Sequence, residues 1–186
     1  MGRLLSLFCP DQCAASLADL DAAALKASGF DTIMLDLDNT LLPWKSAEVP
    51  DSSRHWIEGA KQLGMKLCII SNTHYPKRLN KIASDLGICS VCRALKPRKS
   101  AFAKAARMIG SEPERTVVVG DQILTDILGG NLAGMRTILV KPMHRREFVG
   151  TKVSRLIERG ILALLRRKGR LGTNSEPIQS EKQDTR

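Results

Sequence analysis

The stretch MLDLDNTLL, residues 34 to 42, is the strongest constraint on how this chain can fold, because it sets Asp36 and Asp38 two positions apart at the end of an otherwise apolar run. Burying a carboxylate without a partner is costly, and two close together repel. A strand that ends this way must open onto something that compensates both. The same grammar recurs further along. MKLCIISN, Met65 to Asn72, is a continuous apolar run that turns polar at Ser71, and RTVVVGDQ sets Asp121 just after a β-type run over Thr116 to Val119. Such runs suit strands covered on both faces.

Helical stretches alternate with these runs. One extends from about Asp51, which with Ser52 offers an N-cap, to Leu63 before Gly64; others run from Pro76 to Leu86, from Lys99 to Ile109 and from about Leu124 to Ala133. Gly87 and Gly110 stop the second and third. ICSVCRALKP reads as a short strand followed by a loop bearing Lys96, the first strand spans Thr32 to Leu37, and RTILV supplies a fifth over Thr137 to Val140. The expectation is an α/β fold, a doubly wound parallel sheet of about five strands with helices on both faces. In that architecture ligands bind beyond the carboxyl ends of the strands. Asp36, Asp38, Ser71, Lys96 and Asp121 all fall there, although the sequence scatters them.

Three carboxylates at one edge become sensible around a hard dication such as Mg²⁺, which prefers oxygen ligands. A dication also reconciles the acids with a phosphate ester that they would otherwise repel. One carboxylate can then attack phosphorus while its neighbour moves the proton. Taken singly, each residue has an ordinary reading: a surface turn for the acid pair, a cap for Ser71, a solvated lysine, a turn acid, and for Asp126 a helix-initial acid favoured by the dipole. Their joint order and placement carry the functional reading.

DLDNT (Asp36 to Thr40), SN (Ser71, Asn72), KP (Lys96, Pro97) and GDQILTDILGGN (Gly120 to Asn131) resemble, in that order, the four motifs of the haloacid-dehalogenase (HAD) phosphatase superfamily, subclass IIIA. LDNTLLPW with the downstream RTILVKP narrows the likeness to the YqeG family, to which the mitochondrial phosphatidylglycerophosphatase is related. The resemblance covers about residues 5 to 170 and implies a Rossmann-like, HAD-type core. It implies that Asp36 is the nucleophile and Asp38 the acid that protonates the leaving alcohol and then activates water. Ser71 and Lys96 would hold the phosphoryl group, with Asn72 and Thr40 on the substrate side and Thr40 also bracing the loop. Mg²⁺ would be held by the Asp36 carboxylate, the Asp38 backbone carbonyl and Asp121, with Asp126 orienting from a second shell.

Spacing constrains the substrate. Between Asp38 and Ser71 lie 32 residues, and between Ser71 and Lys96 lie 24; neither interval can hold a cap domain of about 50 residues or more. The site is expected to be open, as suits macromolecular or surface-bound phosphates. Residues 141 to 170 carry 10 Lys and Arg against 2 Asp and Glu, whereas residues 1 to 140 carry 17 against 14, so most of the net charge of +10 sits in one segment. There Val153, Leu156, Ile157, Gly160, Ile161, Leu164 and Leu165 keep helical spacing, with bases mostly on the other side. Such a helix either packs its stripe on the sheet or lies in the surface of an anionic bilayer.

The expected organisation is a capless phosphatase domain over residues 1–150, a basic amphipathic helix over 151–170 and a disordered tail over 171–186. No export signal or membrane span is legible, so the expected location is cytoplasmic, with peripheral contact at the inner face of the cell membrane through residues 151–170. Aromatic residues make up 4% of the chain, few stacking platforms for a nucleic acid. Five cysteines suit free buried thiols, with a zinc site from Cys89 and Cys92 plus Cys9 and Cys13 as the alternative. The preferred activity is a Mg²⁺-dependent phosphomonoesterase acting on phosphatidylglycerophosphate, an anionic phospholipid. The rivals are a soluble phosphatase for sugar phosphates, nucleotides or nucleic-acid ends, and a non-hydrolytic phospho-acceptor.

Overall fold

A computed structural model of the protein describes residues 2–144, 149–167 and 169. The apolar runs form β2 (Thr32–Leu35), β3 (Lys66–Ile70), β4 (Cys89–Val91), β5 (Thr116–Gly120) and β6 (Arg136–Val140), joined at one edge by β1 (Gln12–Ala14). All pairings are parallel, in the spatial order β1-β6-β5-β2-β3-β4. The helices are α1 (Gly2–Ser6), α2 (Ala22–Ala27), α3 (Asp51–Gln62), α4 (Pro76–Leu86), α5 (Lys99–Ile109), α6 (Leu128–Leu132) and α7 (Val149–Arg167).

Strand alternation divides the interior into two layers. On one face Ile33, Leu35, Leu67, Ile69, Val117 and Val119 meet Trp56 and Ile57 of α3 and Leu79 and Ile82 of α4. On the other, Met34, Ile70 and Val118 meet Phe102 and Ala105 of α5. Both faces being covered, the central strands carry no polar side and read as unbroken apolar runs. The buried Trp56 indole spends its N–H on the Leu20 carbonyl at 2.7 Å. Gly87 and Gly110 end α4 and α5 in the left-handed conformation that favours glycine.

Several expectations need correction. The sheet has six strands rather than about five: β1 is only three residues long and is recruited by tertiary contacts, with the Asp11 carboxylate accepting from the Thr137 amide at 2.7 Å. The N-cap of α3 is Pro50, which stands outside the helix with ψ 147° and offers no side-chain cap, so Asp51 lies in the first turn, where the dipole favours it. The stretch expected as one helix over 124–133 begins as a π turn, Ile123–Ile127, before α6. Cys68 and Cys89 face each other in register on β3 and β4 and are joined as a disulfide, so they are not free thiols and Cys89 does not pair with Cys92. Cys9, Cys13 and Cys92 take no part in that link, and no cysteine joins a metal-competent cluster among the described residues.

Neither interval between the strand-end residues carries a cap: α3 and β3 fill the first, α4 and β4 the second. Helix α7 docks on the turn after β5. Leu165 is fully buried, and the buried Glu158 accepts from the Leu124 amide at 3.1 Å, while Ile157 and Leu164 remain 53% and 41% exposed. The disordered tail expected over 171–186 lies outside the described residues.

The glycine pair of α6 is a packing requirement. A Cβ on Gly130 would come within 2.6 Å of Thr137 Cγ2 and 3.1 Å of Val118 Cγ2, both on rigid strands. Gly130→Ala should therefore destabilise the protein by about 1–3 kcal/mol, read as a lower urea midpoint at unchanged m-value.

Candidate active site

Parallel strands start together and end together, so the loops that follow β2, β3, β4 and β5 gather at one edge of the sheet. Asp36 directly follows β2, its amide still bonded to the Val119 carbonyl of β5 at 2.9 Å. Ser71 follows β3, with its amide on Val91 and its carbonyl taking the Ala94 amide, which ties the Lys96 loop to the strand. Asp121 follows β5, and Asp126 sits one turn later inside the π turn.

The side chains converge. The Lys96 ammonium donates to Asp36 Oδ1 and to Asp126 Oδ1, each at 2.6 Å, with all three side chains at most 10% exposed. Asp36, Asp121 and Asp126 each bring a carboxylate oxygen within 4.8 Å of the others. Thr40 Oγ1 donates to Asp121 Oδ1 at 3.4 Å. Asp126 Oδ2 accepts from the Gln122 amide at 3.1 Å, which fixes the carboxylate from behind. Gly120 makes room for it, since a Cβ there would overlap the Asp126 carboxylate.

Two loops hold unusual backbone to present these groups. Asn39 has φ +69° within the acid loop, and Arg93 and Leu95, at +50° and +57°, shape the approach to Lys96. Left-handed φ is uncommon outside glycine and concentrates where surrounding contacts over-determine it. Here Asn72 supplies such contacts: its Nδ2 donates to the Lys96 carbonyl at 3.1 Å and its Oδ1 accepts from the Lys96 amide at 2.8 Å.

Charge balance sets the protonation of the buried cluster. Burial raises the Asp36 carboxyl to about 7, with Asp126 and Asp38 adding repulsion, against the attraction of Lys96. Burial opposes the Lys96 charge too, but Asp126 and Asp36 outweigh it and hold the ammonium above the ordinary lysine range.

The structure sorts the expected residues into two groups. Asp36, Lys96, Asp121, Asp126 and Thr40 form one connected buried cluster, in which Asp126 pairs directly with Lys96 rather than standing behind the others. Asp38 belongs to a second group at the cleft wall: its Oδ1 accepts from Arg78 at 2.8 Å and from the Lys45 amide at 3.2 Å, and its Oδ2 from Arg78 at 3.2 Å. Ser71 Oγ accepts from the Thr73 amide at 3.1 Å, leaving its own proton to donate. Asn72, expected on the substrate side, lines the cleft but commits both ends of its amide to Lys96. A cleft of about 530 Å³ is lined by Asp36, Asp38, Ser71 and Lys96. Sequence reasoning missed Arg78, which as a base on the surface of α4 carries no motif signal.

The chain is similar to known hydrolases in sequence and in fold. Residues 94–144 match the HAD-hydrolase-like family. The chain is 37% identical over 168 residues to the probable phosphatase YqeG of Bacillus subtilis, covering 90% of this chain and 97% of that one. It is 29% identical to phosphatidylglycerophosphate phosphatase 1, chloroplastic/mitochondrial, of Arabidopsis thaliana, over 82% of this chain but 46% of that relative's length. Among solved structures, the cobalt-bound deoxy-D-mannose-octulosonate 8-phosphate phosphatase YrbI of Haemophilus influenzae superposes with a TM-score of 0.51 at 16% identity, over 78% of this chain and 92% of that one, a likeness of fold.

A raised carboxyl pKa has a stability consequence with a definite sign. The folded chain holds the Asp36 proton up to about pH 7, whereas the unfolded chain releases it near pH 4, so the stability this group contributes is full at low pH and is lost as pH rises toward 7. In chelator, Asp36→Asn, which leaves Lys96 paired with Asp126, should gain on the wild type as pH rises from 4 to 8, by at least about 4 °C in Tm. A constant difference across that range would contradict the assignment.

Proposed function

The chain is a phosphatase of the haloacid-dehalogenase-like superfamily, in the family of YqeG, and we propose that it is a Mg²⁺-dependent phosphomonoesterase that passes the phosphoryl group through Asp36, acting on phosphatidylglycerophosphate at an anionic membrane face. The observation that carries this reading is the buried chain Asp36–Lys96–Asp126 with Asp121 beside it. Three carboxylates against one ammonium leave two negative charges, and every donor is an oxygen, which fits a hard dication. Asp36, Asp121 and the Asp38 carbonyl would hold Mg²⁺, which when bound supplies charge compensation for the phosphoryl oxygens.

The remaining work falls to this chain's own groups. Asp36 attacks phosphorus in line, and the ester oxygen leaves with the bonding pair. Asp38 gives that oxygen its proton. Water then attacks the aspartyl phosphate, Asp38 takes the water's proton, and phosphate departs with Asp36 restored. Lys96 offsets charge on the moving group, Ser71 donates its hydroxyl proton to a phosphoryl oxygen, and Asn72 keeps Lys96 in place.

Three observations support a lipid substrate. The Arabidopsis relative is named for phosphatidylglycerophosphate, and a second, from Chlamydomonas reinhardtii, bears the same name at 32% identity over 60% of its length. The cleft lacks a cap, so a head group held in a bilayer can reach Asp36. The rim segments 71–78 and 92–99 expose Lys77, Arg93, Arg98 and Lys99 and hold no acid, complementary to an anionic surface. Helix α7 supports membrane contact as well: Leu165 docks it, while Ile157 and Leu164 stay uncovered beside the exposed Arg159, Arg166 and Arg167. No helix among the described residues is long and apolar enough to cross a membrane; the contact proposed is peripheral, at the cytoplasmic face.

Mixed vesicles carrying phosphatidylglycerophosphate, assayed beside soluble sugar phosphates and nucleotides, test the reading. Release of phosphate should need Mg²⁺, favour the vesicles, and fall by about 10³-fold or more in Asp36→Asn; equal turnover of the soluble esters would favour a soluble phosphatase instead. For the helix, Ile157→Ser with Leu164→Ser should weaken binding to anionic vesicles by about tenfold while leaving Tm within about 2 °C, since both side chains are already largely exposed. Unchanged vesicle binding would remove α7 from the account.

A further inference from the structure

Arg78 does not behave as an ordinary surface base. It forms a two-pronged pair with Asp38, its Nε donates to the Ser46 carbonyl at 2.8 Å, and its side chain is only 17% exposed. It also stands on a boundary. Continuous with the catalytic cleft lies a second hollow of about 600 Å³, lined by Lys45, His74, Tyr75, Pro76, Lys77 and Arg78, and Arg78, with Lys45, His74 and Tyr75, belongs to both walls. That hollow has three permanent cations and no carboxylate in its lining. Lys45 is held over the Trp44 ring at 4.5 Å, and Tyr75 offers an apolar flank with 64% exposure.

We propose that this outer hollow is a subsite for a second anionic group of the substrate, a phosphodiester a few bonds from the scissile phosphomonoester, and that Arg78 exchanges Asp38 for that phosphodiester when the substrate is seated. The inference rests on the phosphatase reading above and names what the site selects. Both Asp38 oxygens are occupied by Arg78, so the pair must open before Asp38 can pass a proton to the leaving oxygen. The pair borders the cleft, so an anion seated there can compete for the guanidinium. A phosphodiester offers the same planar two-oxygen match to a guanidinium, with Lys45 and Lys77 adding charge. A phosphomonoester without the second anion gives Arg78 nothing to exchange for, and Asp38 stays engaged. Selectivity and release of the proton-transfer group thus depend on one residue.

Water-soluble head groups separate this from membrane binding. Wild-type protein with Mg²⁺ should hydrolyse glycerophosphoglycerophosphate, which contains the diester, with a kcat/KM roughly ten- to a hundredfold above glycerol 3-phosphate, which lacks it. Arg78→Gln should bring that ratio to within about threefold of unity, and Arg78→Lys should restore only part of it. As a readout independent of turnover, glycerophosphoglycerol, the diester alone, should perturb Trp44 fluorescence in the wild type and not in Arg78→Gln. A wild-type ratio near one, an unchanged ratio in Arg78→Gln, or equal loss on both esters would overturn the subsite while leaving the phosphatase reading intact. Turnover of phosphatidylglycerophosphate vesicles but of neither soluble ester would also overturn the subsite, whereas turnover of none of the three would instead overturn the function on which it rests.

Discussion

A single ammonium, Lys96 Nζ, holds the site together by donating to Asp36 and Asp126 at 2.6 Å each in a nearly dry pocket. Charges this deeply buried are tolerated only when paired and hydrogen-bonded, and much of the surrounding structure answers to that demand. Gly120 lacks a side chain so that Asp126 can approach. The Gln122 amide caps the far oxygen of Asp126, and Asn72 clasps the Lys96 backbone from both sides. The left-handed residues at 93 and 95 exist to carry the lysine inward. The cluster nevertheless stays one-sided, with more acid than base, and burial, with repulsion from Asp126 and Asp38 added, raises the Asp36 pKa. That imbalance is what a dication and an incoming phosphoryl group would relieve.

The two acids of the DxD pair live in different environments despite being two residues apart. Asp36 faces the buried ammonium, whereas Asp38 is gathered by Arg78 and the Lys45 amide at the solvent wall. A nucleophile benefits from a dry, fixed setting, and a proton carrier from access to leaving group and water, so the division matches the roles proposed for them. The strand alternation that buries Ile33 and Leu35 on one face and Met34 on the other delivers both from one loop.

Much of this was legible in the sequence because parallel strands read as apolar runs and end where their function begins. Asp36, Asp38, Ser71, Lys96 and Asp121 could be placed at one edge without coordinates. What escaped has physical reasons. β1 is three residues without alternation and owes its pairing to Asp11 and Thr137 far along the chain. The Cys68–Cys89 link follows strand register rather than the local CxxC spacing. Asp126 resembled a helix-initial acid, and only the fold reveals its partner 30 residues upstream. Arg78 lies on a helix surface where any base would look the same, and its meaning arises from the loop that brings Asp38 to it.

The central claim is that Asp36 takes the phosphoryl group covalently. In an Asp38→Asn variant, which keeps the nucleophile but cannot readily activate water, substrate and Mg²⁺ should let the acyl phosphate build up, and reduction with borohydride should convert residue 36 to homoserine, detectable by peptide mass spectrometry. Homoserine at position 36, dependent on both substrate and Mg²⁺, is the result this account requires. Turnover with no label at position 36, or with label on another residue, would contradict it.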